Sequence, residues 1–151
     1  CIGDNAASFK STATPLPQRQ APLTTEANRQ RGFDMTETLF RFPAPGPEPL
    51  TTDLDGWTKI DGHPTMKTWV QHTSLDGSVI SGTWEATVGT WHAVYKFYEF
   101  VHLIDGQITI TPDGGTPVTL RPGDGFVVDA GFSGTWKIEA PVRKHFCIKL
   151  K

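Results

Sequence analysis

The chain has 151 residues, the length of one domain, and its hydrophobic (37%) and charged (20%) fractions exclude a wholly disordered protein. The formal net charge of −2 offers no basic excess for nucleic acid, and no apolar run is long enough to span a membrane. Two cysteines, Cys1 and Cys147, are too few for a disulfide scaffold or a thiolate zinc site. Because no signal peptide is evident, we expect a cytoplasmic protein.

The composition changes near residue 50. Residues 1–34 are polar and rich in Ser, Thr, Ala and Gln, so they can bury little apolar surface. We interpret them as a tail that is a leader, an upstream translated segment or an added sequence, with one short helix predicted over 24–32. Residues 35–50 form a proline-rich arm that is predicted to be extended, and residues 51–151 form the predicted domain.

After residue 50, Asp-Gly dipeptides recur between short β-branched and aromatic runs. Asp-Gly flanked by alternating apolar residues is the strongest local signal for a β-hairpin. The six dipeptides begin at Asp55, Asp61, Asp76, Asp105, Asp113 and Asp124. The runs between the turns predict nine strands, over 65–72, 78–86, 91–96, 98–104, 107–111, 117–120, 125–128, 134–139 and 142–150. This spacing predicts an all-β sandwich or barrel.

Two segments carry a resemblance to a known family. Gly106 follows Glu99 after six intervening residues, and the sequence Pro-Gly-Asp at 122–124 is followed by Gly-Thr-Trp at 134–136 and Val-Arg-Lys-His at 142–145. The segments resemble motifs 1 and 2 of the cupin superfamily, and their endings look like the "cupin 3" branch. That branch is similar to ethanolamine-utilisation cupins and to ureidoglycine aminohydrolases. The resemblance covers residues 57–150 and implies a double-stranded β-helix, the cupin jelly-roll barrel, with an extended N-terminal arm.

The same resemblance implies where a metal would bind. Metal-binding cupins use His-x-His before the Glu of motif 1 and a further His in motif 2. Counting back from Glu99, His92 takes the first His position, but Val94 and Gly134 take the other two. A divalent ion needs three or four such ligands, and His92 with Glu99 are too few. We therefore predict no cofactor, and a metal-dependent aminohydrolase or dioxygenase is the least favoured function.

Strand alternation places two opposite charges inside the predicted barrel. Glu99 alternates with Val101 and Leu103, and Lys144 lies between Val142 and Phe146 on one face of its strand. Because an unpaired charge is costly in an apolar interior, we expect each to be the other's partner. The pair is either purely structural or part of the site, where the Lys144 amine and the Glu99 carboxylate are candidate catalytic groups.

His92 and Tyr95 complete the candidate catalytic set. His92 is either an acid or base or a residue that packs on aromatic rings at the mouth of the barrel. Tyr95 offers a phenol that could orient a substrate or donate a proton. Trp84 and Trp136 are either core aromatics or, with Tyr95 and Lys144, substrate-binding walls of a pocket.

We therefore predict a small-molecule-binding cupin with an interior pocket for a polar or anionic metabolite. The alternative is a metal-free enzyme that moves protons on a carbonyl or sugar-acid substrate, with Glu99 or His92 as the base and Tyr95 or Lys144 as the acid or electrostatic stabiliser. Cupins commonly dimerise through their sheets and through exchanged N-terminal strands, so the resemblance also implies a homodimer.

Overall fold

Alternating apolar and polar residues between tight turns give eight strands in residues 38–151, the part of the chain that the computed structural model describes. The strands are β1 (Trp57–Asp61), β2 (Met66–Thr73), β3 (Val79–Ala86), β4 (Gly89–Val94), β5 (Tyr98–Pro112), β6 (Val118–Leu120), β7 (Gly125–Val128) and β8 (Ser133–Lys149). These described residues contain no helix. The predicted tail 1–34, with its short helix, lies outside them, as do the first residues of the arm.

Two long strands, β5 and β8, organise the sheet. They pair antiparallel from Tyr98 with Lys149 at one end to Pro112 with Gly134 at the other. The C-terminal part of β8 also pairs with β3, and β3 pairs in turn with β2. The N-terminal part of β8 pairs with β4, and β4 pairs in turn with β1. The first part of β5 pairs with β7, and its second part pairs with β6. The result is one antiparallel sheet curled into two halves that share β5 and β8, which confirms the predicted double-stranded β-helix.

β5 and β8 pass from one half of the sheet to the other at the place where residues that usually end strands lie opposite each other. The predictions of a hairpin turn at Asp105-Gly106 and of a strand break before Val142 are wrong, because β5 and β8 continue through both places. Gly106 has a φ of 88°, and a Cβ there would lie 2.3 Å from the carbonyl oxygen of Pro141. The register of β5 shifts on both sides of Asp105. Together these irregularities bend the two strands without ending them.

β1 is the strand that the sequence pattern missed. Trp57 is its one buried residue, and the four exposed residues that follow give no alternating apolar signal. β1 lies at the edge of the sheet and pairs with β4 alone. The other predicted strands, apart from the divided β5 and β8, lie within two residues of the observed bounds.

The core between the two halves is aromatic. Trp84, Trp91 and Trp136 are each at most 1% exposed. The ring of Trp57 lies among them, at centroid distances of 5.8, 6.0 and 5.1 Å respectively. Aromatic pairs at such distances contribute about 0.5–1.5 kcal/mol each beyond the area they bury. The cluster therefore both fills the barrel and fixes the walls of its interior.

Residues 38–50 form the described part of the extended arm. Leu50 joins the arm to β2 through two backbone hydrogen bonds with Thr68, of 2.9 and 2.8 Å. The arm lies on the outer face of the sheet, away from the aromatic core, because its contacts are with Trp69, Gln71 and His72. No helix among residues 38–151 could cross a membrane.

Gly82 of β3 provides a test of the sheet's close packing. A Cβ at this position would lie 1.8 Å from the carbonyl oxygen of Trp69 and 3.1 Å from the Phe146 ring. Gly82→Ala should therefore lower the free energy of unfolding by about 1–3 kcal/mol or more, measured by urea denaturation. Gly125→Ala is the control, because its Cβ would meet Phe100 at an ordinary 3.8 Å. Equal stability of the two variants would contradict the packing of β2 against β3.

Candidate functional site

An ion pair lies inside the barrel, on adjacent strands. Glu99 of β5 and Lys144 of β8 both face inward, with 4% and 1% of their surface exposed. The Nζ atom of Lys144 lies 2.7 Å from Oε1 of Glu99 and donates a hydrogen bond to it. The two side chains that alternation placed in the interior are therefore each other's partners. Whether the pair also acts on a ligand stays a prediction.

Tyr95 joins this pair from the loop after β4. Its backbone N–H donates to the carbonyl of Phe132, and its own carbonyl accepts from Gly131, so the loop is tied to the segment before β8. The Tyr95 hydroxyl donates to Oε2 of Glu99 at 2.8 Å. Burial, and then the nearby Glu99 carboxylate, raise the pKa of Tyr95 well above its ordinary value. The phenol therefore keeps its proton and can act as a hydrogen-bond donor.

Two indole rings flank the lysine ammonium. Lys144 Nζ lies 4.8 Å from the ring centroid of Trp84 and 4.8 Å from that of Trp136. A cation over an aromatic face is stabilised by the ring's quadrupole, most strongly where water is excluded. Burial lowers the pKa of Lys144, while the charge of Glu99 and its hydrogen bond oppose that shift. Glu99, Trp84 and Trp136 thus share the stabilisation of one buried charge.

The interior also holds spare hydrogen-bond donors. Within the described residues, the buried indole nitrogens of Trp84, Trp91 and Trp136 have no hydrogen-bond acceptor. Trp84 and Trp136 pack edge to face, with an interplanar angle of 74°. The apolar aromatic cluster therefore contains three N–H groups that could still donate a hydrogen bond.

A surface pocket is lined in part by Glu99 and Tyr95 of this network. It has a volume of about 160 Å³ and is lined by Leu54, Asp55, Trp57, Val94, Tyr95, Lys96, Phe97, Glu99, Ile148 and Leu150. Most of these side chains are apolar, and Glu99 and Tyr95 bring the buried network to the pocket wall. At the rim, Lys96 donates to Asp55 at 2.6 Å, and this hydrogen bond and charge lower the pKa of Asp55. The pocket therefore combines an aromatic wall with one buried carboxylate.

His92 does not belong to this network. It lies on the opposite face of β4 from the buried Trp91 and Ala93, and its Nε2 is 3.0 Å from Oδ2 of Asp113. Ser133 donates to the same Asp113 oxygen at 2.6 Å, and the hydrogen bonds from Ser133 and then His92 lower the pKa of Asp113. The prediction that His92 acts beside Glu99, as a catalytic group or a metal ligand, disagrees with this geometry.

The residues around Glu99 do not fit a divalent metal site. Val94, the second counted His position, is 43% exposed, and Gly134 has no side chain. The inward positions beside them are Ala93 and Tyr95, which supply no imidazole. Among residues 38–151, no three His, Cys, Asp or Glu side chains come together as metal ligands. The positive charge next to Glu99 belongs to Lys144.

Sequence reasoning missed part of the pocket. Trp57 lines it, but its strand was not predicted, and the loop residues Leu54 and Phe97 carried no signal of their own. Trp84 and Trp136, for which the sequence left open a place in the core or in the pocket wall, enclose the Lys144 ammonium and are not among the residues that line this pocket. A strand prediction that started at Trp57 would have placed a second tryptophan, besides Trp136, next to Tyr95.

Comparisons with known proteins agree with the fold. Residues 73–146 match the family model of the EutQ-like cupin domain. The chain is similar to the EutQ protein of Clostridium difficile, with 19% identity and a TM-score of 0.51 over 57% of this chain and 68% of that one. No functionally curated protein matches it.

Two further solved structures show the same likeness. A protein of unknown function from Pseudomonas syringae pv. tomato has 21% identity and a TM-score of 0.56 over 68% of this chain, which spans 43% of that protein. A putative ethanolamine utilization protein Q from Salmonella typhimurium has 14% identity and a TM-score of 0.50 over 68% of this chain and 97% of that one. Identities this low establish a shared fold and carry no activity across.

Lys144→Met tests the ion pair. The variant leaves Glu99 as a buried carboxylate without its cation, and breaking a buried pair costs about 3–5 kcal/mol of unfolding free energy. The double variant Lys144→Met/Glu99→Gln removes both charges and should regain most of that loss in chemical denaturation. Lys137→Met, at an exposed position of the same strand, should stay within about 0.5 kcal/mol of the unmodified protein. A double variant no more stable than Lys144→Met would contradict the coupling.

Tyr95→Phe tests the buried phenol through pH. The folded-state pKa of Tyr95 lies well above the ordinary 10.0, so above about pH 10 the unfolded chain loses a proton that the folded chain keeps. The stability that depends on this proton is complete below that pH and declines as the pH rises towards the folded-state pKa. Tyr95→Phe should remove the decline, and Tyr98→Phe should retain it, in unfolding measured between about pH 8 and 11. Parallel profiles for both variants would argue against the burial of the Tyr95 phenol beside Glu99.

Proposed function

We propose that this chain, whose described domain is a cupin, binds a compact polar molecule in the pocket that ends at Glu99 and Tyr95. One observation carries the proposal: Glu99 is only 4% exposed and is bonded through both oxygens, yet it lines a pocket that opens to the surface. A buried titratable group at the end of an apolar pocket is a frequent feature of binding and active sites.

The end of the pocket has hydrogen-bonding capacity left for a ligand. A carboxylate oxygen can accept two hydrogen bonds, and each Glu99 oxygen has one donor among the described side chains. Lys144 compensates the carboxylate charge from the side away from the pocket. A bound molecule can therefore donate to Glu99 without displacing Lys144 or Tyr95.

The volume and lining limit the size of the ligand. A cavity of about 150 Å³ in another protein holds one benzene molecule. The pocket here, at about 160 Å³, therefore suits a molecule of about six to ten non-hydrogen atoms. Trp57, Phe97 and Leu150 offer apolar contacts for part of it.

Of the polar and anionic ligands predicted from the sequence, we favour the polar one. A ligand carboxylate next to Glu99 would place two like charges in surroundings of low dielectric constant. The ammonium of Lys144, which could have attracted such a ligand, already binds Glu99. A hydroxyl, amide or amine donor on the ligand would instead meet a free acceptor.

Ligand-observed NMR would test the proposal with alcohols, amides and amines of six to ten heavy atoms, together with matched carboxylates. We expect the donor compounds to bind and Glu99→Gln to weaken them at least tenfold. Glu139→Gln, a carboxylate exchange on the outer face of β8, is the control and should leave binding unchanged. Thermal unfolding establishes that each variant is folded. Binding that Glu99→Gln does not weaken, or that is confined to the carboxylates, would refute the proposal.

A second candidate function, proton transfer, is favoured by the hydrogen bond between Tyr95 and Glu99. In such an enzyme Glu99 would take a proton from a carbonyl or sugar-acid substrate and return it to the product, while the Tyr95 phenol would keep its own proton and hold Glu99 by its hydrogen bond. His92 has no part in this version, because it faces away from the pocket. Following the same compounds and related carbonyl compounds for chemical conversion separates catalysis from binding.

The cytoplasmic location expected from the sequence stays a prediction.

A further inference from the structure

A groove opens into the barrel beside its two shortest strands. β6 has three residues and β7 has four, and among the described strands each of them pairs with β5 alone. Val118 of β6 lies opposite the buried Ile110 of β5, and because residues opposite each other in a sheet share a face, Val118 points inward. It is nevertheless 53% exposed. The wall of the barrel is therefore incomplete here, and part of its apolar interior faces water.

The lining of this groove is almost wholly apolar. Its volume is about 430 Å³, which is larger than that of the pocket at Glu99, and the two have no lining residue in common. Inward-facing side chains form its floor, each at most 9% exposed: Ile110, Leu120 and Val128. The half-buried rings of Phe126 and Phe132 line it as well. A concave site of a few hundred Å³, apolar except for a few polar groups, is the usual form of a small-molecule site.

Among the described residues, Asp129 is the one charged side chain that lines the groove. It is exposed and so lies at the rim, and no ion pair within residues 38–151 includes it. Its backbone is held in a turn, because the N–H of Phe132 donates to the carbonyl of Asp129 at 3.2 Å. The carbonyl of Phe132 in turn accepts from the N–H of Tyr95 at 2.9 Å. A carboxylate available to a cation is therefore held next to an apolar surface.

We propose that this groove is a second binding site, for a small molecule that carries an amine on an apolar body. The ammonium pairs with Asp129, and the apolar body covers the floor that one copy of the chain leaves in water. The rings of Phe126 and Phe132 add to the attraction, because a cation is stabilised over an aromatic face. Asp129 repels a ligand carboxylate, and a neutral ligand gains the apolar contacts alone.

The volume of the groove sets the size of the apolar body. Since a cavity of about 150 Å³ in another protein holds one benzene molecule, about 430 Å³ suits a ligand of about 15 to 20 non-hydrogen atoms. Such a molecule is too large for the pocket at Glu99, so the two sites take different ligands.

Three compounds with one apolar body and different head groups test the proposal: diphenylpropylamine, diphenylpropanol and diphenylpropanoic acid. Isothermal titration and ligand-observed NMR measure their affinities for the full chain. We expect the amine to bind about threefold more tightly than the alcohol, or better, and the acid to bind most weakly. Asp129→Asn should weaken the amine to the affinity of the alcohol and leave the alcohol unchanged. Asp61→Asn removes another exposed carboxylate, at the end of β1, and as the control should change neither.

Two further variants identify the place of binding once thermal unfolding has established that they are folded. Val118→Trp adds a larger ring at an exposed position of the groove and should weaken the amine and the alcohol about tenfold. Glu99→Gln should leave both affinities unchanged, because Glu99 lines only the other pocket.

Three outcomes would overturn the proposal. Amine binding that Glu99→Gln removes and Val118→Trp retains would place the amine in the pocket at Glu99. Equal affinities of the amine for the unmodified protein and for Asp129→Asn would show a surface that selects no amine. Absence of amine binding at about 1 mM would show that the groove holds no ligand of this kind.

Discussion

Mutual neutralisation of Glu99 and Lys144 is the constraint around which the interior is arranged. Neither charge could remain in an apolar barrel alone, since an uncompensated buried charge costs several kcal/mol. Adjacent strands β5 and β8 bring the two side chains together, and two indole faces and one phenol take up the remaining contacts. The aromatic core is therefore also the electrostatic surroundings of the pair.

Metal-binding cupins hold a metal ion next to the Glu of motif 1, whereas here the positive charge next to Glu99 is the ammonium of Lys144. Inward positions that could carry imidazole hold Ala93, Tyr95 and Gly134, and the charge beside Glu99 is an ammonium on a covalent tether. A tethered ammonium donates up to three hydrogen bonds from the end of one side chain, whereas a metal ion gathers several ligands. The proton donors and acceptors that the chain itself supplies at this site are Tyr95, Glu99 and Lys144.

Much of the fold could be predicted from local patterns, and the errors have physical reasons. Alternation identified Glu99 and Lys144 as interior residues because both strands keep a period of two through those positions. Asp105-Gly106 and Pro141 were interpreted as ends of strands, since nothing local shows that two breakers pack on each other across a pair. His92 was counted back from Glu99 across the loop at 95–97, where strand parity is lost. The contacts of the arm depend on Gln71 and Trp69, which become neighbours of the prolines only in the folded chain.

The shared strands β5 and β8 also have a consequence for the order in which the protein folds. Their pairing closes a loop of 134 − 112 = 22 residues at one end, and 149 − 98 = 51 residues at the other. Because the entropy cost of closing a loop grows with its length, we expect pairing to begin near Pro112 and Gly134 and to advance towards the chain ends. The Glu99–Lys144 pair lies towards the late end of that sequence. Its buried charges would then come together only after most of the barrel has excluded water, and the high mean separation of contacts predicts slow folding in refolding kinetics.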